Sequence, residues 1–403
     1  MKWEDFILEH DSADLGALAL SRERFAGAGI DWDLALITLE SRRKLRDKVP
    51  EWYACPYLRF PSRLSAEQCS SSVTARYKAS VAHESGNSIA DLTGGLGVDS
   101  WAFAEVFDNV LYNEMQPALA DAARHNFACL GAGNIEVKST ELEPGNIDGI
   151  LGDFRPDVIY LDPARRSSDG RKVFRLEDCT PNILELKDEL LAACPRLLLK
   201  LSPMADISLV CRQLGNVSRL HVVATGGECK ELLLVVERDY PGPYGITIFE
   251  NGAVMDVPSH LRWTPPSYTA EGGHGFPDVP PRGGYLFEPG KALMKAGAFH
   301  FPCLYGLEKI EEHTHIYIGD SVPEELRPFG KTLKILEWVP LNKRTLKDIG
   351  KRYPEAGVTA KNIPFTSEQL KNRIGVKEGS DVRIFGLKAL EGNIMIVCTP
   401  HLS

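Results

Sequence analysis

Three carboxylates, Asp91, Glu114 and Asp162, each close a short apolar run, and a glycine turn follows the first of them. The runs I-A-D, N-V-L-Y-N-E and D-V-I-Y-L-D read as buried strands. Their carboxyl ends are where open α/β sheets bind ligands. After Asp91 comes L-T-G-G-L-G-V-D, with Gly94, Gly95 and Gly97 where a backbone has to approach a ligand closely. Glycine permits this because it lacks a Cβ and tolerates positive φ. A helix expected to start near Val98 presents free N–H groups, which favour a negatively charged or carboxylate-bearing ligand. Glu114 lies 23 positions after Asp91. In nucleotide-binding α/β folds an acid at the end of the second strand, about 20 residues on, accepts hydrogen bonds from a ribose diol. The third acid opens D-P-A-R-R, Asp162 to Arg166. Pro163 fixes φ and lacks a donor, which leaves the Asp162 carboxylate and nearby carbonyls to face a ligand as acceptors. That rigid array suits an amino group held by its N–H bonds, its lone pair aimed at an electrophile. The spacing G-G-x-G is not the dinucleotide fingerprint G-x-G-x-x-G, which argues against a nicotinamide dehydrogenase.

The elements that position these groups alternate. After the first strand and its helix come N-V-L-Y-N-E, a helix stopping at Gly131, N-I-E-V, D-V-I-Y-L-D, the helix L-E-L-K-D-E-L-L-A-A-C and the strand R-L-L-L-K-L-S. Two further apolar strands follow, V-S-R-L-H-V-V-A-T and L-L-L-V-V-E-R. Strands apolar on both faces and separated by helices predict a parallel sheet buried between helical layers. Ahead of this region, residues 1 to about 60 show apolar positions at helical spacing and read as a helical cap. The basic cluster Arg42, Arg43, Lys44, Arg46 and Lys48 reads there as a solvated helix face, with phosphate contact as the alternative. Ser70, Ser71, Ser72 and Thr74 either cap a helix start or line a pocket. Y-P-G-P-Y-G near Asp239 marks a linker, and a second boundary falls near Gly330. Residues 263–284 read as a long loop, F-E-P-G-K-A-L-M-K-A as a helix, and the last segment as strand, helix, helix and hairpin.

Together, D-L-T-G-G-L-G-V-D, Glu114 and Y-L-D-P-A-R-R resemble the motifs of class I S-adenosylmethionine-dependent methyltransferases. The resemblance extends to RNA guanine-N2 methyltransferases and to bacterial methyltransferases with a C-terminal THUMP-like domain, an RNA-binding module. It implies a Rossmann-like α/β sheet with helices on both faces, an N-terminal helical cap and small C-terminal α+β domains. It also implies S-adenosylmethionine as cofactor, held by Asp91, Gly94, Gly95, Gly97, Asp99 and Glu114, with Met115 against the adenine or packed in the core. Asp162, Pro163 and Arg165 would face the acceptor. Arg165 stands where cap enzymes place an aromatic, and it would stack on a base or bind phosphate. Arg166, Lys78, Lys343, Arg344 and Lys361 are the expected RNA contacts, with Lys78 and Arg76 alternatively reaching the cofactor carboxylate. The implied division is 1–63, helical; 64–239, methyltransferase; 240–330, a small ferredoxin-like α+β domain; and 331–403, THUMP-like. The expected product is an exocyclic base nitrogen methylated in structured RNA, guanine N2 favoured. A protein or small-molecule acceptor, or a non-catalytic RNA-binding scaffold, are the alternatives.

Charge bears on the partner. The net charge of −9 excludes a uniformly basic nucleic-acid binder. Residues 331–388, however, carry thirteen Lys/Arg against six Asp/Glu, a local +7 that leaves −16 for the remainder. Such asymmetry predicts that one end meets a polyanion such as tRNA or rRNA. The nine cysteines form no C-x-x-C pair, so neither a structural zinc nor any other metal is expected. No apolar run approaches a membrane span and the acidic start lacks a signal-peptide core, so the expected location is cytoplasmic.

Overall fold

The computed structural model describes residues 2–25, 27, 29–165, 175–258, 284–389 and 392–400. The chain divides into two compact units, residues 1–220 with 231–244, and residues 221–230 with 245–403. Among the described residues, no helix is long and apolar enough to cross a membrane.

The first unit opens with the helices Trp3–His10, Leu15–Ala19, Trp32–Leu45 and Pro50–Tyr53. Phe6, Ile7, Leu18, Trp32, Ala35 and Leu39 form the shared core of the first three. The basic cluster is a solvated face only in part: Lys44 and Arg46 are exposed, but Arg42 and Arg43 turn inward. Arg42 is 2% exposed and donates to the carbonyls of Cys55 and Tyr53 and to Asp11. Arg43 donates to the carbonyls of Asp11 and Ala13. Both guanidiniums tie the helix Trp32–Leu45 to the turn at 11–13, and Arg42 also ties it to Tyr53 and Cys55.

The sheet comes next. Strands β1 (Ser88–Asp91), β2 (Asn109–Asn113), β3 (Ile135–Lys138) and β4 (Val158–Leu161) are parallel, in the order β3-β2-β1-β4. Arg196–Leu201 continues the sheet parallel to β4, with Leu161 opposite Leu199. The expectation of a wholly parallel sheet fails at the next strand, because Glu228–Glu237 runs antiparallel to Arg196–Leu201. The cause is local. Gly226 and Gly227 have φ of 61° and 77° and join Val217–Thr225 to Glu228–Glu237. Two residues at positive φ make a hairpin turn, whereas a parallel return needs a long crossover.

In the second unit seven strands form one sheet, in the order Glu308–Lys309, Tyr317–Gly319, Tyr285–Pro289, Gly330–Pro340, Gly392–Pro400, Arg383–Ala389 and Gly357–Lys361. The sheet is continuous across residue 330: Leu286 pairs with Leu333, and both belong to one cluster with Ile318, Phe385 and Ile396. The helices Lys343–Arg352 and Ser367–Ile374 both begin with capping boxes and bury Leu346, Ile349, Leu370 and Ile374 in a second cluster. The expected strand-helix-helix-hairpin order lacks Gly357–Lys361, a short strand parallel to Arg383–Ala389. Its sequence, G-V-T-A-K, has too few apolar residues to signal alternation. The stretch 263–283 read as a loop lies outside the described residues, and the helix expected after F-E-P-G is Lys291–Ala296.

Candidate active site

A cleft of about 210 Å³ opens at the carboxyl ends of β1, β2 and β4. Asp91, Gly94, Gly95, Gly97, Asp99, Glu114, Met115 and Asp162 all line it. The turn after β1 is built from its neighbours' bulk. A Cβ on Gly94 would lie 2.1 Å from the Tyr112 ring, and one on Gly97 would lie 2.7 Å from Phe127. Gly97 (φ 94°) and Gly95 (φ 54°) also occupy the left-handed region. Two of the three glycines therefore make room for aromatic rings beneath the turn. The rings press the backbone up into the cleft wall, where the Tyr112 hydroxyl donates to the Gly95 carbonyl at 2.6 Å.

Asp91 is the turn's internal brace. Its carboxylate accepts from the Thr93 N–H at 3.1 Å and from the Ser100 hydroxyl at 2.5 Å. Burial, together with the charges of Asp99 and Asp162, pushes its pKa up to about 8 against the Ser100 and Thr93 bonds. The unfolded chain ionises at 3.8. Between those values the native state holds a proton that the unfolded state has lost, so Asp91's share of stability falls as pH rises from about 4 toward 8. The expected result is a shallower loss of Tm between pH 5 and 8 in Asp91→Asn than in the wild type, read by thermal denaturation.

Glu114 bridges the turn to β2. One carboxylate oxygen accepts from the Gly95 N–H and the other from the Gln116 N–H, each at 2.9 Å. Each oxygen keeps a lone pair, and the side chain borders the cleft, so a vicinal diol can donate to it. Met115, beside it, is 50% exposed. Of its two expected places, this is the cleft wall and not the core.

The acceptor side is built on β4. The Asp162 N–H donates to Thr93 Oγ1 at 2.6 Å, which ties the end of β4 to the glycine turn. Lys200 Nζ, from the neighbouring strand, donates to Asp162 Oδ2 at 2.6 Å. Asp162 Oδ1 has no hydrogen bond among the described residues. Ala164 and Arg165 pair with Thr180 and Cys179, and Ala164, Thr180 and Pro181 continue the wall; Pro163 is not part of it. The side chain of Arg165 and all of Arg166 lie outside the described residues.

Asp99 sits in the floor. It accepts from Ser70 at 2.9 Å and from Tyr160 at 2.8 Å. Burial alone would raise its pKa, but Lys78 first and Lys200 second hold it below the usual carboxylate range. Asp99 thus shapes the cleft from below. The hydroxyl segment does both things asked of it: Ser71 caps the helix Ser72–His83, and Ser70 lines the cleft.

Lys78 corrects an expectation. It is 0% exposed and lies 2.9 Å and 3.1 Å from the two Glu231 oxygens, 3.2 Å from Asp99 and 2.9 Å from Ser70. A phosphate cannot reach it, nor can a cofactor carboxylate displace two buried acids from it. Arg76 is likewise committed, to Glu51 and Glu105. Lys78→Met removes the cation that Glu231 and Asp99 contact directly and leaves them, among the described residues, only the more distant Lys200, at a cost of about 3–5 kcal/mol. The expected result is a large drop in Tm, measured by calorimetry. In the second unit Lys343 and Arg344 are exposed in the first helical turn, while Lys361 Nζ pairs with Glu288 at 2.7 Å. Sequence reasoning missed Lys200 and Glu231, whose signal was a charge within an otherwise apolar strand.

The fold and the cleft fit the expected class I methyltransferase, and comparison with known proteins agrees. Residues 330–400 match the THUMP domain-like family and residues 285–326 a ferredoxin-like domain family. Two uncharacterized S-adenosylmethionine-dependent methyltransferases of Mycobacterium tuberculosis, from strains CDC 1551 / Oshkosh and H37Rv, are each 24% identical over 344 residues. The match spans 83% of this chain and 87% of each relative. The crystal structure of a proposed methyltransferase from Porphyromonas gingivalis W83 is 28% identical, with a TM-score of 0.83, and the match covers 99% of this chain and 97% of that one. These findings bear out the resemblance to class I S-adenosylmethionine-dependent methyltransferases with a C-terminal THUMP-like domain.

Proposed function

We propose that the chain methylates an exocyclic base nitrogen, guanine N2 favoured, in a structured RNA such as tRNA or rRNA. It is an enzyme of the methyltransferase class, and S-adenosylmethionine is its cofactor. The acceptor reading rests on one observation: Asp162 has a carboxylate oxygen without a hydrogen bond among the described residues, in the cleft that the glycine turn and Glu114 also line. When bound, the cofactor supplies a sulfonium-activated methyl group. The chain's own residues then position it. Glu114 would accept from the ribose hydroxyls, and the backbone at Gly94, Gly95 and Gly97, which lines the same cleft, would border the methionine end. Asp162 Oδ1 accepts one N–H of the amine, which turns the nitrogen lone pair toward the methyl at near-attack distance. A cofactor held there would supply the methyl group to the amine nitrogen and keep the electron pair of the bond that breaks. The extra proton on nitrogen leaves to Asp162 or to water.

RNA is the favoured acceptor because the second unit offers cations at odds with its own helix. Lys343 and Arg344 sit in the first turn of Lys343–Arg352, where the helix dipole disfavours positive charge. A polyanion bound there repays that cost. We propose the domain division 1–63, 64–239, 240–330 and 331–403, a cytoplasmic setting, and RNA docked through its backbone by the last segment. Filter binding of bulk tRNA and rRNA tests this. Binding at low salt that weakens as salt rises, with a slope about one to two units shallower in Lys343→Ala/Arg344→Ala, supports it. No binding at low salt favours a protein or small-molecule acceptor.

A further inference from the structure

We infer that Lys200 is a positioning residue for the acceptor amine: it clamps Oδ2 of Asp162 and leaves Oδ1 as the single oxygen facing the cleft. The inference rests on the acceptor role proposed for Asp162 and extends it to a residue with no role so far. Lys200 lies on Arg196–Leu201, whose Leu199 pairs with Leu161, so the ladder brings Lys200 alongside Asp162 at the strand ends. Its ammonium reaches Asp162 Oδ2 at 2.6 Å, and its side chain is 14% exposed. The backbone that carries the carboxylate is fixed as well, since the Asp162 N–H donates to Thr93 Oγ1 at 2.6 Å. An aspartate held at its amide and at one oxygen has little freedom to turn, and its remaining oxygen is aimed by the protein before any acceptor arrives. Such preorganisation is what an orientation-limited reaction needs.

The ammonium is itself held charged. Burial disfavours it, but Asp162, Glu231 and Asp99 together outweigh burial. Glu231 is also bound through both oxygens by Lys78, so charges alternate from Asp162 through Lys200, Glu231 and Lys78 to Asp99. A structural ion pair would serve as well anywhere in the sheet. This one ends on Asp162, the acid of the set with an oxygen that carries neither a hydrogen bond nor an ion pair among the described residues.

The test compares the full-length wild type with Lys200→Met and Lys200→Arg. Tritiated methyl transfer is measured to bulk RNA from a strain lacking the protein, together with calorimetry on S-adenosylhomocysteine and crystal structures of the S-adenosylhomocysteine complexes. Lys200→Met is expected to lower kcat at least about tenfold, with the S-adenosylhomocysteine Kd within about threefold of wild type. Lys200→Arg, which restores a cation at that place, is expected to recover most of the rate. In the Lys200→Met complex the Asp162 carboxylate should be rotated from its wild-type position. Wild-type kcat in Lys200→Met, or a loss confined to S-adenosylhomocysteine affinity, overturns the inference. A wild type that methylates no RNA sinks the RNA reading alone. The crystal comparison then still decides, because an unmoved Asp162 in Lys200→Met refutes the clamp.

Discussion

Asp162→Asn is expected to lower the rate of methyl transfer by about a hundredfold or more while leaving S-adenosylhomocysteine affinity within about threefold of wild type. The amide keeps the shape of the carboxylate but not its charge. It presents a donor as readily as an acceptor, and the Lys200 ammonium, 2.6 Å away in the wild type, forces the amide oxygen toward itself. The NH₂ group is then the part that faces the cleft. An amine acceptor meets a donor where it needs an acceptor, so the loss falls on kcat and not on cofactor binding. Single-turnover transfer beside calorimetry separates the two. A variant that keeps its rate shows that Asp162 orients nothing.

Glu114→Ala is expected to weaken S-adenosylhomocysteine binding by about 10–100-fold, the size of a lost hydrogen bond to a charged group. The effect has two parts. The diol acceptor is removed, and the N–H groups of Gly95 and Gln116 each lose their own Glu114 oxygen at 2.9 Å. The second part loosens the turn itself, because among the described residues Gly95 is then hydrogen-bonded only through its carbonyl, by Tyr112. Glu114→Gln, which keeps one good acceptor, should lose less. Calorimetry on the two variants reads this order, and equal affinities in wild type and Glu114→Ala would remove Glu114 from the cofactor site.

The sequence was legible where one residue type answers one local demand. A run of apolar residues closed by an acid marks a strand end, and Asp91, Glu114 and Asp162 stand at strand ends around one cleft. The reason for two of the glycines was not legible. Gly94 and Gly97 yield to Tyr112 and Phe127, rings whose place beneath the turn exists only after β2 and its helix have packed. Partners distant in sequence were invisible for the same reason. Lys78 and Glu231 meet across 153 positions, and a lysine that looked like a phosphate contact proved to be the counter-ion of a buried acid. Arg42 reads as a surface charge until its carbonyl partners fold around it. The reversal of the last strand was legible after all, in the pair Gly226 and Gly227, had the turn been weighed against the strand pattern.

The central claim is that one cleft holds the methyl donor between the turn at 93–97 and Asp162. A crystal structure of the wild-type protein with S-adenosylhomocysteine tests it most directly. The predicted result is a ligand whose ribose hydroxyls lie on Glu114 and whose sulfur faces Asp162. A ligand bound elsewhere, or crystals that take up none at saturating concentration, would contradict it.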